Sequence, residues 1–419
     1  MKTIRLGVPA LVAFAVLAHG AVEPWSEAVL EIGSGLLLVI WALGAARRGE
    51  FELRWNALLA PLGGLLALAL AQWAAGWTVY AYDTKLEALR LAAELILLFL
   101  TAQAFRTPRE WRSLVWFLLS LAFAVSVFGI IQHFTWNGKL YWLRTLHYGG
   151  EPFGPFVNRD DFAGFVELIL PLGLALLVLD GERRDRRLLV ILFAVFPAAA
   201  LVLSGSRAGL VVFGTELVML TGLVWAYGRR SQRWLLLGVT GVMVVVAAWL
   251  GVGYTLSRFQ GPSGADVTLL QRFQISRDAW HIFLAHPLAG TGMGTLEVAY
   301  PLYETHYIGL IVNHAHDDYV ELLADGGILG GALGFYFLFI LYRRGLRHLR
   351  RARTPLTRSL YAGGLVALTG LLIHELVDFN LHIPSNAVIF LIIASLVTTL
   401  IPEPIANPIR RSFPHHLPS

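Results

Sequence analysis

Apolar residues along this chain gather into runs of about 20, broken by short polar stretches marked by Gly, Pro and Arg. A run of that length spans the bilayer core as a helix. Backbone in lipid must satisfy its own hydrogen bonds, which a helix does within one segment. A transmembrane barrel would show short alternating segments instead, and none are present. The pattern predicts twelve spans, at 6–22, 27–45, 56–75, 86–105, 112–133, 161–179, 188–204, 208–228, 234–253, 323–342, 358–375 and 385–401. The opening "MKTIRLGVPALVAFAVLAHGA" has the basic start and apolar run of a signal peptide. Because further spans follow, it reads as a retained first span. The expected fold class is an all-α polytopic membrane protein in one transmembrane domain, 1–403, followed by a disordered tail, 404–419. One long loop, about 254–322, interrupts the spans. Within it "TLLQRFQISRDAWHIFLAHPL" carries Leu269, Leu270, Phe273, Ile275, Trp280, Ile282 and Phe283. That spacing predicts an amphipathic helix lying on the membrane or over a cavity. A turn follows at Pro287, Gly290, Gly292 and Gly294.

Composition supports the same class: of 419 residues, 56% are hydrophobic and 15% charged, against about 25% charged in soluble domains. The absence of cysteine excludes disulfides and thiolate metal sites. A net charge of +5 does not indicate nucleic acid, because the basic residues sort by loop. Alternate loops, with both termini, hold 24 of the 33 Lys and Arg. Lys and Arg favour the cytoplasm, so that set, including both termini, is assigned to the inside. The long loop then lies outside, with "GPFVNRDDFAG", "SGSRAG" and "HELVDFNLHIPS". Nucleotide-activated substrates are not normally available there, so an energy-rich substrate would arrive on a lipid carrier.

The outside arginines run against this bias and need another reason. Arg159, Arg207, Arg272 and Arg277 are suited either to paired hydrogen bonds with phosphate or to snorkelling toward lipid headgroups. Arg207 and Arg272 are favoured for a phosphate clamp. "VNHAHDDYVELLADGGILGG" gathers His314, His316, Asp317 and Asp318 just before an apolar helix pattern. A carboxylate suits the helix N-terminus, and a neutral imidazole there can take a hydroxyl proton. The same residues also read as a polar cap. A third reading is a metal site from His314 and His316 with Asp317, Asp318 or Glu321, for which a bare His-x-His is weak evidence. Glu94, Glu167 and Glu216 fall inside predicted spans, where carboxylates often serve proton relay; Glu94 also has Arg90 four residues before it.

"NHAHDDYVELLADGGILGG" resembles the signature of the O-antigen ligase and polymerase superfamily, in which a His-Asn pair precedes a helix ending in an acidic-Gly-x-x-Gly pattern. "GPFVNRDDFAGFVELILPL", "LSGSRAGL", "RFQISRDAW" with "HPLAGTGMGTLE", and "ELVDFNLHIPSNA" resemble further family segments, in order, from about 150 to 395. The resemblance implies a GT-C glycosyltransferase that moves a glycan from an undecaprenyl diphosphate donor to an acceptor hydroxyl outside the bacterial inner membrane. The acceptor would be lipid A-core, another glycan chain or a protein serine, and membrane lipids would surround the enzyme. It further implies an inverting reaction with no metal and no cofactor. By position, His316 matches the general base, and Arg207 and Arg272 match diphosphate-binding arginines, with Arg277 a second candidate. His314, Asp317, Asn158, Arg159 and Asp378 fall in the matching segments as accessory candidates. Asp317 stands where relatives carry Asn, and Asp325 where they carry Glu; Asp317 would favour a charged neighbouring imidazole and orient it. An O-antigen ligase is the favoured reading, ahead of a polysaccharide polymerase and a protein O-oligosaccharyltransferase. A lipid-linked glycan transporter would need paired broken helices in two halves, which are not evident.

Overall fold

A computed structural model of the chain describes residues 1–49, 53–146, 151–180, 184–260, 267–309 and 311–402. The expected tail lies outside these residues. The described chain is helical, with only isolated β-bridges. In order the helices are α1 (Lys2–Leu17), α2 (Pro24–Arg48), α3 (Leu59–Ala75), α4 (Ala81–Ala104), α5 (Pro108–Phe134), α6 (Arg159–Ala175), α7 (Arg184–Ser204), α8 (Arg207–Tyr227), α9 (Arg230–Gln260), α10 (Leu269–Ala285), α11 (Leu296–Ala299), α12 (Asp318–Arg351), α13 (Pro355–His374) and α14 (Pro384–Thr398). Each of the twelve expected spans overlies a helix. Among the described residues, seven helical segments are long and apolar enough to cross a membrane by length and composition, and α3 and α14 are shorter apolar helices. Continuous apolar sequence therefore located helices, while their lengths follow local stop signals.

Those signals are ordinary helix chemistry. Thr107 and Glu110 form a reciprocal cap on α5, with Pro108 at its first position. Thr268 and Gln271 do the same for α10. Asn158 caps α6 by accepting from the Asp160 amide at 3.0 Å, and Ser206 caps α8 by accepting from Gly209 at 3.1 Å.

The core is built around α6, buried along its whole length. It is enclosed by α5, α7, α8, α13 and α14, as its apolar residues on every face require. Small residues set the spacing. A Cβ on Gly363 of α13 would lie 2.8 Å from the Leu172 Cα and 2.9 Å from the Pro171 carbonyl, so glycine lets α13 rest on the α6 backbone.

Two features of the long loop and the helix after it differ from a simple amphipathic strip over a straight span. Helix α10 has a buried stripe, Ile275, Ala279 and Ile282, packed with Leu296, Tyr300 and Ala315. Its Leu270, Phe273 and Trp280 remain exposed, Leu270 at 83%. The expected helix thus covers protein with one side and offers the other to its surroundings. Helix α12 is broken at Gly327 (φ 60°, ψ −159°). The glycine turn after α10 docks into that break. Thr291 and Gly292 donate to the Ala324 and Asp325 carbonyls, each at 3.0 Å, and Ile328 donates to Pro287 at 2.8 Å. Gln72 of α3 locks the joint, donating to the Ala289 carbonyl at 2.6 Å and accepting from Met293 at 3.0 Å.

Candidate functional site

Asp317 is the N-cap of α12 and accepts from the amides of Tyr319 and Val320, each at 3.1 Å. The helix start expected near this residue is therefore present. Asn and Asp rank together as N-caps, so Asp317 fills this position as well as the Asn expected from the resemblance would. Burial pushes the Asp317 carboxyl up from its usual range. Immediately before the cap, His316 has φ 52°, a left-handed backbone uncommon outside glycine. This turn separates His316 from His314, and the two rings meet different carboxylates.

The acid facing His316 is Asp378, not Asp317. Asp378 Oδ1 lies 3.6 Å from His316 Nδ1, somewhat long for a hydrogen bond. Both groups are largely buried, the His316 side chain at 13% exposure. Phe379 packs edge-on against the His316 ring at 4.9 Å. Nδ1 is buried and has no hydrogen bond within normal distance among the described residues.

Asp378 also meets Arg272, whose Nη1 is 3.1 Å from Asp378 Oδ2 and whose Nη2 is 2.8 Å from Asp160 Oδ2. The same Nη1 donates to the Val377 carbonyl at 2.6 Å. One guanidinium thus ties α10 to the start of α6 and to the loop after α13. Burial acts to lower the Arg272 pKa, but Asp378 and Asp160 outweigh it and hold it above the usual range. For Asp378 burial acts upward, yet Arg272, then His316 and His374, hold it well below the carboxylate range.

The remaining sequence candidates separate. Arg207 opens α8, partly exposed, with no hydrogen bond or ion pair among the described residues. Gly209 after it packs so close to α6 that a Cβ would lie 2.6 Å from that of Ala163. Arg277 is exposed on α10. Arg159 is buried and paired with Glu151, and Asn158 serves as the α6 cap. Of the span carboxylates, Glu94 lies 3.9 Å from Arg90, which also pairs with Glu87 at 2.9 Å. Glu167 accepts from or donates to His374 Nδ1 at 2.9 Å, both fully buried.

Sequence reasoning did not single out His374, His382 or Phe379, although the segment holding them was marked as polar and expected outside. His382 Nδ1 lies 2.9 Å from Asp318 Oδ1, and its Nε2 lies 3.2 Å from Glu321 Oε1. His314 Nδ1 is 2.9 Å from that same Glu321 oxygen. Next to these groups is a cavity of about 530 Å³ lined by Leu62, Leu91, Leu338, Phe335 and Phe390 together with Arg90, Glu94, Glu321 and His382.

The helical bundle thus gathers His, Asp and Arg from α6, α10, α12 and the loop after α13 at one place. Residues 188–336, which include α10, His316 and the break in α12, match the family model described as O-Antigen ligase. No curated protein matches it.

Proposed function

We propose that the chain is a GT-C glycosyltransferase of the bacterial inner membrane, with twelve spans, both termini cytoplasmic and its loop 254–322 outside. It takes a glycan from undecaprenyl diphosphate and passes it to an acceptor hydroxyl, as an O-antigen ligase acting on lipid A-core. The observation that carries this reading is the His316–Asp378–Arg272 cluster, His316 and Arg272 of which fall within the family match.

The leaving group is a diphosphate, already stable as an anion, so positioning and charge stabilisation are the main requirements. His316 Nε2 takes the acceptor proton as the hydroxyl oxygen bonds to the anomeric carbon. The bond from that carbon to the diphosphate oxygen breaks on the opposite face, which inverts the centre. Asp378, kept ionised by Arg272, holds the ring and stabilises the imidazolium. Arg207, without a carboxylate partner among the described residues, takes the donor diphosphate. Arg272 keeps N–H donors beyond those it gives to Val377 and the two acids and contributes to the same anion. The apolar walls of the neighbouring cavity suit the prenyl chain.

The test is purified protein with a defined undecaprenyl-diphosphate glycan and a panel of lipid A-core, glycan and peptide acceptors. Transfer to lipid A-core with inversion is expected. Transfer only to the glycan or the peptide would replace the ligase assignment, and no transfer to any acceptor would remove the enzymatic one.

A further inference from the structure

We propose that His314, Glu321 and His382 form a divalent metal site of the zinc class, which braces the outer loop against the transmembrane bundle. Their ligand atoms come from three separate segments and lie within 4.8 Å of one another. His314 Nδ1 and His382 Nε2 converge on a single oxygen, Glu321 Oε1, at 2.9 and 3.2 Å. Ligands about 2.0–2.1 Å from a tetrahedral zinc ion sit roughly 3.3 Å from one another. Those two separations are close to that spacing, and the two histidine nitrogens lie within 4.8 Å of each other. Two imidazoles and one carboxylate are a ligand set zinc accepts.

The surroundings orient each ligand as a metal site requires. His382 presents its other nitrogen, Nδ1, to Asp318 Oδ1 at 2.9 Å, a carboxylate–histidine pairing that leaves the Nε2 lone pair directed at the site. The second oxygen of Glu321 accepts from the Ala315 amide at 2.7 Å, so the carboxylate cannot swing away. The His314 ring stacks on Phe379, with centroids 4.6 Å apart and planes 27° apart.

The histidine pair visible in the sequence, His314 and His316, is not the ligand pair. His316 turns away to Asp378, and the second ring comes from His382, well beyond it in the chain. A bound ion would fasten the loop before α12 to the segment after α13, on either side of His316. Its role is structural, and its binding is measured without reference to glycan transfer.

The experiment uses the full chain in detergent without a polyhistidine tag. His415 and His416 are replaced by Asn so that the tail pair does not contribute. Zinc content by elemental mass spectrometry, chelator-competition affinity and melting temperature are measured after EDTA treatment and zinc reloading. The expected result is one zinc per chain and a melting temperature that rises on reloading. His382→Gln and His314→Gln should abolish stoichiometric binding, Asp318→Asn should weaken it about 10–100-fold, and His316→Ala should leave it intact. Absence of stoichiometric zinc in the parent chain would overturn the site, with no variant needed. Equal zinc affinity in the parent and the His382→Gln chain would overturn it as well, as would loss of binding in His316→Ala alone.

Discussion

At the residue scale, the candidate base and its arginine were legible because their side chains are rare in their setting. A histidine before an apolar run and an arginine outside the positive-inside pattern both stand out from sequence. The acid that serves them was harder to read, since Asp317 is adjacent to His316 in the chain and Asp378 is not. Local hydrogen bonding decides the matter: Asp317 is used by the Tyr319 and Val320 amides, which leaves Asp378 to face the ring. Asp378→Asn should lower kcat on the order of 10²-fold or more with KM little changed, as loss of an orienting acid does in other histidine-base enzymes. A proportional rise in KM at unchanged kcat would place Asp378 in substrate binding instead. Removing one partner from a buried ion pair costs about 3–5 kcal/mol, so Arg272→Ala should lower the melting temperature clearly. The folded-state pKa of Asp378 lies below its unfolded value, near 3.9. Its stabilising contribution is therefore complete above that value and is lost as pH falls below it. The melting-temperature gap between parent and Asp378→Asn should be constant from neutral pH to about 5 and narrow below about 4; a gap that widens on acidification would contradict the ion pair.

At the element scale, helix positions followed from apolar runs, caps and prolines, and the α10 helix from its spacing. The break in α12 was legible only in part. The resemblance has a helix ending in the acidic-Gly-x-x-Gly pattern, yet the expected span 323–342 runs through Gly326 and Gly327. The break depends on a segment distant in sequence, because the turn after α10 supplies the amides that pair with the freed carbonyls. At Gly327, φ 60° and ψ −159° fall in a region essentially restricted to glycine, where other residues cost about 1–3 kcal/mol. A Cβ there would also lie 2.4 Å from the Leu288 carbonyl carbon. Gly327→Ala should therefore lower both melting temperature and transfer activity, whereas Gly63→Ala on α3, where a Cβ meets nothing within 4 Å, should leave both near the parent values. Equal stability of the two variants would show that the docked turn is not constrained by contact.

At the scale of the whole molecule, the charge pattern supplied an orientation, and the cluster of His316, Asp378, Arg272 and Asp160 gathers segments expected on the outer face. The sequence has no cysteine, so single-cysteine variants report topology directly. Leu302→Cys, at a position 84% exposed in the loop before α12, should react with an impermeant maleimide in intact spheroplasts. Trp55→Cys, 71% exposed between α2 and α3, should react only after lysis; the reverse result would invert the bundle. The central claim is that His316 removes the acceptor proton. Its most direct test is single-turnover glycan transfer by purified His316→Ala beside the parent, with binding of the lipid-diphosphate donor measured on the same samples. A transfer rate lower by about 10²–10⁴-fold with donor affinity retained is the predicted result, and transfer at the parent rate would contradict the claim.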